Sequence, residues 1–147
     1  MKIADADTAE NKSGSSHYIV TPLSCALPNR RDDGPKGSGD ERLKISPGTL
    51  LHSICGKEDD SEQYYCNYGV NEVYEKQFQA AGLRVSARGL LGETRAVELP
   101  NHRFFIATLF QPQLSSRPEM PHRSLLAFLR AAMRFRRVRA KTRASLD

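Results

Sequence analysis

Apolar positions along this 147-residue chain fall into short runs separated by polar, Gly- and Pro-rich segments. The β-branched run 17–27 predicts a strand, and the shorter runs 42–45 and 62–70 predict two more. Residues 50–54 fit either a weak strand or one turn of helix. The segment 28–40 combines Pro, Gly and charge, which is typical of a flexible loop.

The second half of the chain alternates between helix-like and strand-like spacing. Asn71 fits the N-cap of a helix over 72–81, and Gly82 is a natural stop for it. Three strands are then predicted, at 83–87, 94–99 and 104–110. Gly89 and Gly92 turn the first two into a hairpin. The last strand is almost continuously apolar, as in a sheet covered on both faces.

A final helix is predicted from about His122 to Phe135, with one apolar stripe at helical spacing. The predicted buried residues of this stripe are Leu125, Phe128, Leu129, Ala132 and Met133. Strands and helices are mixed along the chain and do not form a parallel βαβ array. The fold class predicted is therefore α/β, a three-layer mixed β-sheet with flanking helices.

The net charge of +5 is concentrated at the C-terminal end. Residues 130–147 hold seven basic residues and one acidic residue, so the other 129 carry 15 basic and 16 acidic residues. We therefore predict one domain over 1–133 followed by a basic tail over 134–147. Basic ends of this kind are usually solvated helix extensions, so contact of the tail with a polyanion is only a weak expectation.

Several classes of protein do not fit the composition. The chain has no apolar run near the ~20 residues of a membrane span and no signal-peptide core, so we expect a cytoplasmic protein. Its three cysteines form no CxxC pair and are predicted to be free thiols. His17, His52 and His122 have no ligand-spaced partners, so no metal is predicted. No cofactor is predicted either.

The most informative segment is Gln111-Pro112-Gln113, which follows the apolar run 104–110. A buried strand that ends in a short polar turn is a common place for catalytic side chains. A base and its orienting carboxylate would need His and Glu at the first and third positions. This chain has two amides there, and an amide does not titrate near neutral pH.

These residues belong to a longer pattern. Its parts are Glu98-Leu99, then 102–105, then 107–113, then Ser116-Arg117-Pro118. The pattern resembles the C-terminal part of class I glutamine amidotransferase domains, most closely the glutaminase domain of CTP synthase. That family reads E-L-x-x-H-P-F-F and then A-T-Q-F-H-P-E-F-x-S-R-P. In the family's E-R-H-R-H-R-Y-E-V-N segment, this chain keeps Glu62, Tyr68, Val70 and Asn71.

The resemblance implies a degenerate site in a domain that is incomplete at its N-terminal side. The family's nucleophile lies in G-x-C-x-G-x-Q, which this chain does not contain, and Cys55 falls in the wrong order to replace it. The triad His and Glu correspond to Gln111 and Gln113. The family's glutamine-binding arginine corresponds to Asn67, beside the retained Tyr68, and these two are the candidate ligand-binding residues.

Three functions stay open on this basis. The first is a relative without glutaminase activity that acts by binding. Its partner would be a protein that completes the domain, either a synthase-type subunit or a second copy of this chain. A glutamine-like ligand is also possible. The second is a component of a CTP synthase that works with a separate synthase subunit, since the chain has no P-loop motif. The third is a polyanion-binding protein that acts through the tail.

Overall fold

A computed structural model of the chain describes residues 3–23 and 38–144. The strands in these ranges are β1 (Ala6–Thr8), β2 (His17–Pro22), β3 (Ser38–Ile45), β4 (Asp59–Tyr65), β5 (Tyr68–Val70), β6 (Arg84–Arg88), β7 (Thr94–Glu98) and β8 (Ile106–Thr108). The α-helices are α1 (Leu50–Cys55), α2 (Glu75–Ala80), α3 (Pro112–Ser115) and α4 (Arg123–Ala144), with 3-10 turns at Ala9–Asn11 and Glu72–Tyr74.

The strands form two sheets. The larger sheet has the order β4-β3-β6-β7-β8, and all of its neighbours pair antiparallel. The smaller sheet has the order β1-β2-β5, with β1 parallel and β5 antiparallel to β2. The predicted α/β fold with a mixed sheet and flanking helices is confirmed, and the parallel pairing is confined to the smaller sheet.

The larger sheet curls until its two edges approach each other. Beyond β8 at one edge, the Gln111 backbone N–H donates to the Gln63 carbonyl of β4, the opposite edge strand, at 2.8 Å. The short helix α3 also packs against β4. This contact occupies part of the β4 edge, so the edge that an incomplete sheet would expose is partly satisfied from within the chain.

The hydrophobic core lies on the inner surface of this curled sheet, beneath α1. Its buried members are Leu43, Ile45, Leu51, Ala87, Ala96 and Phe110. Of the two interpretations left open for 50–54, the helix is correct. Thr49 caps its start, because its hydroxyl accepts from the His52 N–H at 3.0 Å, and Gly56 ends it at a φ of 71°.

A buried carboxylate fixes the start of α1. Glu98, only 2% exposed, accepts hydrogen bonds from the backbone N–H groups of Leu50 and Leu51 at 3.1 and 3.2 Å. Arg84 lies 3.3 Å from the same carboxylate. A negative charge at a helix N-terminus is favourable, and here it sets the orientation of α1 over the core.

Local signals located α2 and the β6–β7 hairpin correctly, but the first turn differs from the prediction. Asn71 caps the Val73 N–H at 3.1 Å, and the chain then makes a 3-10 turn before the α-helix. The tighter turn changes the phase of the helix. Val73 is 78% exposed, whereas Tyr74 is buried.

Three predicted strand boundaries are wrong. The predicted strand 62–70 is divided between β4 and β5, which belong to different sheets. The predicted loop 28–40 ends earlier than expected, because its last three residues begin β3, and residues 24–37 lie outside the described ranges. The apolar run 104–110 contributes only the three residues of β8, which pairs with β7 at the sheet edge.

The prediction for the last helix is wrong in its length and in its buried face. The helix continues to Ala144. The four large side chains of the predicted stripe are 40–54% exposed, namely Leu125, Phe128, Leu129 and Met133. The helix packs on α1 with the side that carries Leu126 and Ala127. The prediction failed because the sequence offers two apolar faces and periodicity alone cannot choose between them.

An ion cluster on the larger sheet predicts a pH-dependent stability. The buried Arg95 pairs with Glu41 and, at 2.6 Å, with Glu93. Burial raises the pKa of Glu41 from 4.5 to about 7, against the attraction of Arg95 and with a further rise from Glu93. Between these two values the unfolded chain has lost this proton and the folded chain keeps it. The free energy of unfolding therefore falls as pH rises.

We expect Glu41→Gln to remove this part of the pH dependence. Relative to the parent chain, the variant should gain about 2 kcal/mol in unfolding free energy between pH 4.5 and 8, after allowance for partial solvation of the carboxylate. Urea unfolding at both pH values measures this change, and Glu72→Gln, at an exposed position, is the control. A Glu41→Gln difference that stays constant with pH would contradict the assignment.

Candidate active-site region

Gln111, which the resemblance predicts to stand at the position of the triad histidine, lies between the larger sheet and α3. It is the residue before α3, with an extended backbone at φ −114° and ψ 95°. Its side-chain Nε2 donates to the Tyr65 carbonyl at 3.3 Å. With its backbone N–H bonded to Gln63, both donor groups of the residue serve the backbone of β4.

Gln113 lies on α3 and is exposed. Within residues 3–23 and 38–144 its side chain makes no hydrogen bond, and none joins it to Gln111. The two amides therefore do not form a hydrogen-bonded pair of the kind that a base and its orienting carboxylate would make.

Asn67 lies in the short link between β4 and β5, and Tyr68 is the first residue of β5 in the smaller sheet. The Asn67 carbonyl accepts from the Leu23 N–H at 2.8 Å, and Tyr68 pairs with Pro22 across β2 and β5. The Tyr68 N–H also points to the Cys66 sulfur at 3.4 Å. These are contacts of strand and turn backbone. Gln111 lies beside this segment through its bond to Tyr65.

A buried histidine–carboxylate pair lies close to these positions. The His122 Nε2 is 3.0 Å from both oxygens of Glu62, and the side chains are 7% and 5% exposed. The centroid of the Phe110 ring, two residues after β8, lies 6.3 Å from the centroid of the imidazole. The sequence shows no ligand-spaced partner for His122 and gives no sign of this contact, because Glu62 is 60 positions away in the chain.

The hydrogen bonds of His122 fix its tautomer. The Ser124 backbone N–H donates to Nδ1 at 3.2 Å, so Nδ1 must be the acceptor. The ring proton then lies on Nε2 and is donated to Glu62. Since both nitrogens are occupied, this imidazole has no free lone pair with which to accept a proton from a nucleophile.

A second buried acid lies beside this pair. Asp60 accepts from Arg123 at 2.6 Å and from Lys57 at 2.7 Å, and its side chain is 4% exposed. Arg123 also donates to the Cys55 carbonyl at 3.0 Å. Together these bonds tie the first turn of α4 to β4 and to the end of α1, so this cluster holds the layers together.

Cys55 lies beside this cluster, but its environment suppresses the thiolate. The pKa of Cys55 is raised to about 11, chiefly by burial, with the Asp60 and Glu62 carboxylates adding to the rise and the Arg123 guanidinium opposing it. A nucleophilic cysteine needs the opposite, an electropositive environment that lowers its pKa. The position therefore does not provide a nucleophile at neutral pH.

The described residues thus bring together buried acids, a histidine and a thiol in a structural arrangement, without an activated nucleophile or a free base. Within the same ranges, no group of three His, Cys, Asp or Glu side chains could hold a metal ion. None of the helices described here is both long enough and apolar enough to cross a bilayer.

Comparisons with known proteins agree with the sequence pattern. No family model matches the chain. A CTP synthase of Caldivirga maquilingensis is 37% identical over 136 residues, which are 90% of this chain and 25% of that protein. A CTP synthase of Thermus thermophilus is 38% identical over 136 residues, or 88% of this chain and 25% of that protein.

A solved structure decides which part of these proteins is matched. It is the glutaminase domain of Trypanosoma brucei CTPS with bound acivicin, with a TM-score of 0.77 and 28% identity. The match covers 89% of this chain and 52% of that one. The chain is a relative of the CTP synthase glutaminase domain. The resemblance inferred from the segments around Glu98 and Gln111 is confirmed.

This relationship has a limited extent. The chain spans about a quarter of the length of the CTP synthases it matches, and about half of the trypanosomal glutaminase-domain chain. Within the printed 147 residues, this relative of the CTP synthase glutaminase domain contains no G-x-C-x-G-x-Q motif.

Proposed function

We propose that this chain is a CTP synthase-related, glutamine amidotransferase-like protein that does not hydrolyse glutamine by itself and acts by binding another polypeptide. The observation that carries the proposal is the residue type of Gln111 together with the hydrogen bond that its side chain makes. A residue that cannot accept a proton replaces the triad histidine, and its amide is bonded to the β4 backbone. Gln113 is exposed beside it on α3.

The size of the expected loss supports this proposal. Loss of one triad member typically costs about 10⁴-fold or more in rate, and members that act as a unit cannot replace one another. Neither possible substitute in the region helps, because the His122 lone pair is occupied and the pKa of Cys55 is about 11, raised first of all by burial.

The partner proposed is a polypeptide that carries the remaining part of a class I glutaminase domain. The support is the exposed apolar face of α4, formed by Leu125, Phe128, Leu129 and Met133. The Phe104 ring extends this face, at 5.6 Å from Phe128. Contiguous apolar surface of this kind marks interaction sites. A second copy is the weaker occupant, since α4 carries eight basic residues and no acid, and two such helices would repel.

A CTP-forming role with a separate synthase polypeptide is the second candidate. The observation that favours it is that the matched relatives are CTP synthases. In that case the chain would assist a synthase through the same α4 face. A stable complex with a synthase polypeptide that raises CTP formation above the level of that polypeptide alone would distinguish it.

The first experiment measures ammonia release from glutamine by the purified chain. The trypanosomal glutaminase domain is the positive control, and Gln111→Ala/Gln113→Ala in this chain is the matched negative. We expect no saturable release from the parent chain, and no difference between it and the double variant. Saturable release that the double variant loses would refute the proposal.

Binding is tested by co-expression of the chain with the part of Thermus thermophilus CTP synthase that it does not match. Phe128→Ser/Leu129→Ser should abolish co-purification, whereas Leu91→Ser, at an exposed leucine in the β6–β7 turn, should not. A pure chain that forms a dimer sensitive to the same double substitution would favour self-association and overturn the partner proposed here.

A further inference from the structure

A cavity of about 290 Å³ lies between α1, the turn before β8 and the first half of α4. No Asp or Glu is among the residues that line it. Its charged lining residues are Arg103, Arg123, Arg130 and Arg134. Leu50, Ile54 and Leu126 contribute apolar surface to its wall. The cavity therefore combines four positive charges with an apolar wall.

One of these arginines has a structural partner. Arg123 is bonded to Asp60 at 2.6 Å and to the Cys55 carbonyl at 3.0 Å. Among the residues that the structure describes, no carboxylate lies within ion-pair distance of Arg103, Arg130 or Arg134. Three guanidinium groups thus share one cavity without a counter-ion from the described protein.

The position of Arg103 connects the loop to the helix. Its guanidinium carbon lies 3.7 Å from the centroid of the Phe135 ring, a cation–π contact with α4. This contact holds the Arg103 head group beside the helix that carries Arg130 and Arg134. Two separate elements therefore supply the positive charge, unlike a single solvated helix face.

We propose that this cavity binds a small organic phosphate ester, with the phosphate on Arg103, Arg130 and Arg134. Guanidinium groups match phosphate oxygens with paired N–H donors, and charges around a concave site reinforce one another. A volume near the lower end of the roughly 300–1,000 Å³ of ligand pockets selects a small molecule. The apolar wall selects an ester with an aliphatic or aromatic group rather than the bare ion.

The test is calorimetric titration of the full chain with phenyl phosphate at low salt, with inorganic phosphate as the comparison. Phenyl phosphate should bind more tightly than inorganic phosphate. Arg130→Gln/Arg134→Gln should weaken it at least about tenfold, the equivalent of one good charge-assisted contact. Arg103→Gln, on the other element, should weaken it as well.

The matched control is Arg136→Gln/Arg137→Gln, which removes the same charge from α4 at positions that do not line the cavity. It should change the affinity for phenyl phosphate less than about twofold. Salt should reduce this small change further, because it screens the charges. Circular dichroism confirms that each variant is folded.

Equal weakening by both pairs of substitutions would overturn the site and show diffuse attraction to a basic helix. Absence of phenyl phosphate binding would also overturn it. Vesicles containing phosphatidic acid test whether the ester is a lipid headgroup instead. Binding to the vesicles without binding to phenyl phosphate would reject a small soluble ligand.

Discussion

Replacing Glu98 with alanine is expected to lower the free energy of unfolding by about 3–5 kcal/mol, the range for removing one member of a buried ionic network. The carboxylate receives two backbone N–H groups of α1 and the charge of Arg84. Without the carboxylate, the backbone N–H groups in the first turn of α1 lose their acceptor and Arg84 loses its counter-ion. Leu51 belongs to the hydrophobic core and must stay there.

Glu98→Gln separates charge from hydrogen bonding. The amide oxygen can still accept one backbone bond, so we expect a loss between that of alanine and that of the parent chain. Thermal unfolding should show a fall of about 10 °C for Glu98→Ala, since each kcal/mol shifts Tm by roughly 2–4 °C in a domain of this size.

Glu119→Ala is the control for Glu98, because Glu119 is exposed and makes no ion pair among the residues described. It should shift Tm by less than about 2 °C. A Glu98→Ala variant with the stability of Glu119→Ala would mean that the bonds to Leu50 and Leu51 do not hold α1 in place.

Features of this fold that depend on neighbouring residues could be predicted from the sequence. Asn71 caps the turn that follows it, and Gly82 takes a φ of 90° after α2 as a helix stop requires. Gly89 and Gly92 close the β6–β7 turn through a backbone bond of 3.1 Å. In each case the determining contact lies within a few residues.

Features that depend on distant contacts were predicted less well. The aromatic run 62–70 has uniform strand character, yet Tyr65 ends β4 of the larger sheet and Tyr68 begins β5 of the smaller sheet. Helical spacing predicts the large apolar residues of α4 as its buried face, but size and spacing do not reveal which side meets α1. The side of α4 that faces α1 carries Leu126 and Ala127 instead.

The same distinction applies to the candidate site. The correspondence of Gln111 and Gln113 with titratable residues of the family stays a prediction, and the sequence offers it because both positions lie next to a predicted strand. The partner of His122 is not visible, since only the packing of α4 on β4 brings Glu62 to it. Retention of Glu62 within the resemblance was the one available signal, and it pointed to importance without giving a contact.

The Glu62–His122 pair should behave as a structural unit in a double-mutant cycle. His122→Ala leaves a carboxylate that is 5% exposed without its donor, and we expect a loss of about 3–5 kcal/mol. Glu62→Ala leaves an imidazole N–H without an acceptor, with an expected loss of about 2–3 kcal/mol. The double variant should lose less than the sum, with a coupling energy of about 1.5–3 kcal/mol.

The matched cycle is Lys44–Asp59, an ion pair on neighbouring strands of the same sheet whose side chains are 61% and 73% exposed. Exposed pairs of this kind couple by at most about 1 kcal/mol, because water competes for both charges. Urea unfolding of all four variants in each cycle gives both coupling energies. Equal coupling in the two cycles would mean that burial does not strengthen the Glu62–His122 contact.

A large coupling energy would also bear on function. An imidazole that contributes this much to stability is fixed in one tautomer, with Ser124 as donor to Nδ1 and Glu62 as acceptor from Nε2. To act as a base it would have to free the Nδ1 lone pair, which means giving up the hydrogen bond from the Ser124 N–H. We therefore expect His122 to stabilise the junction of α4 with β4 and not to act as a base.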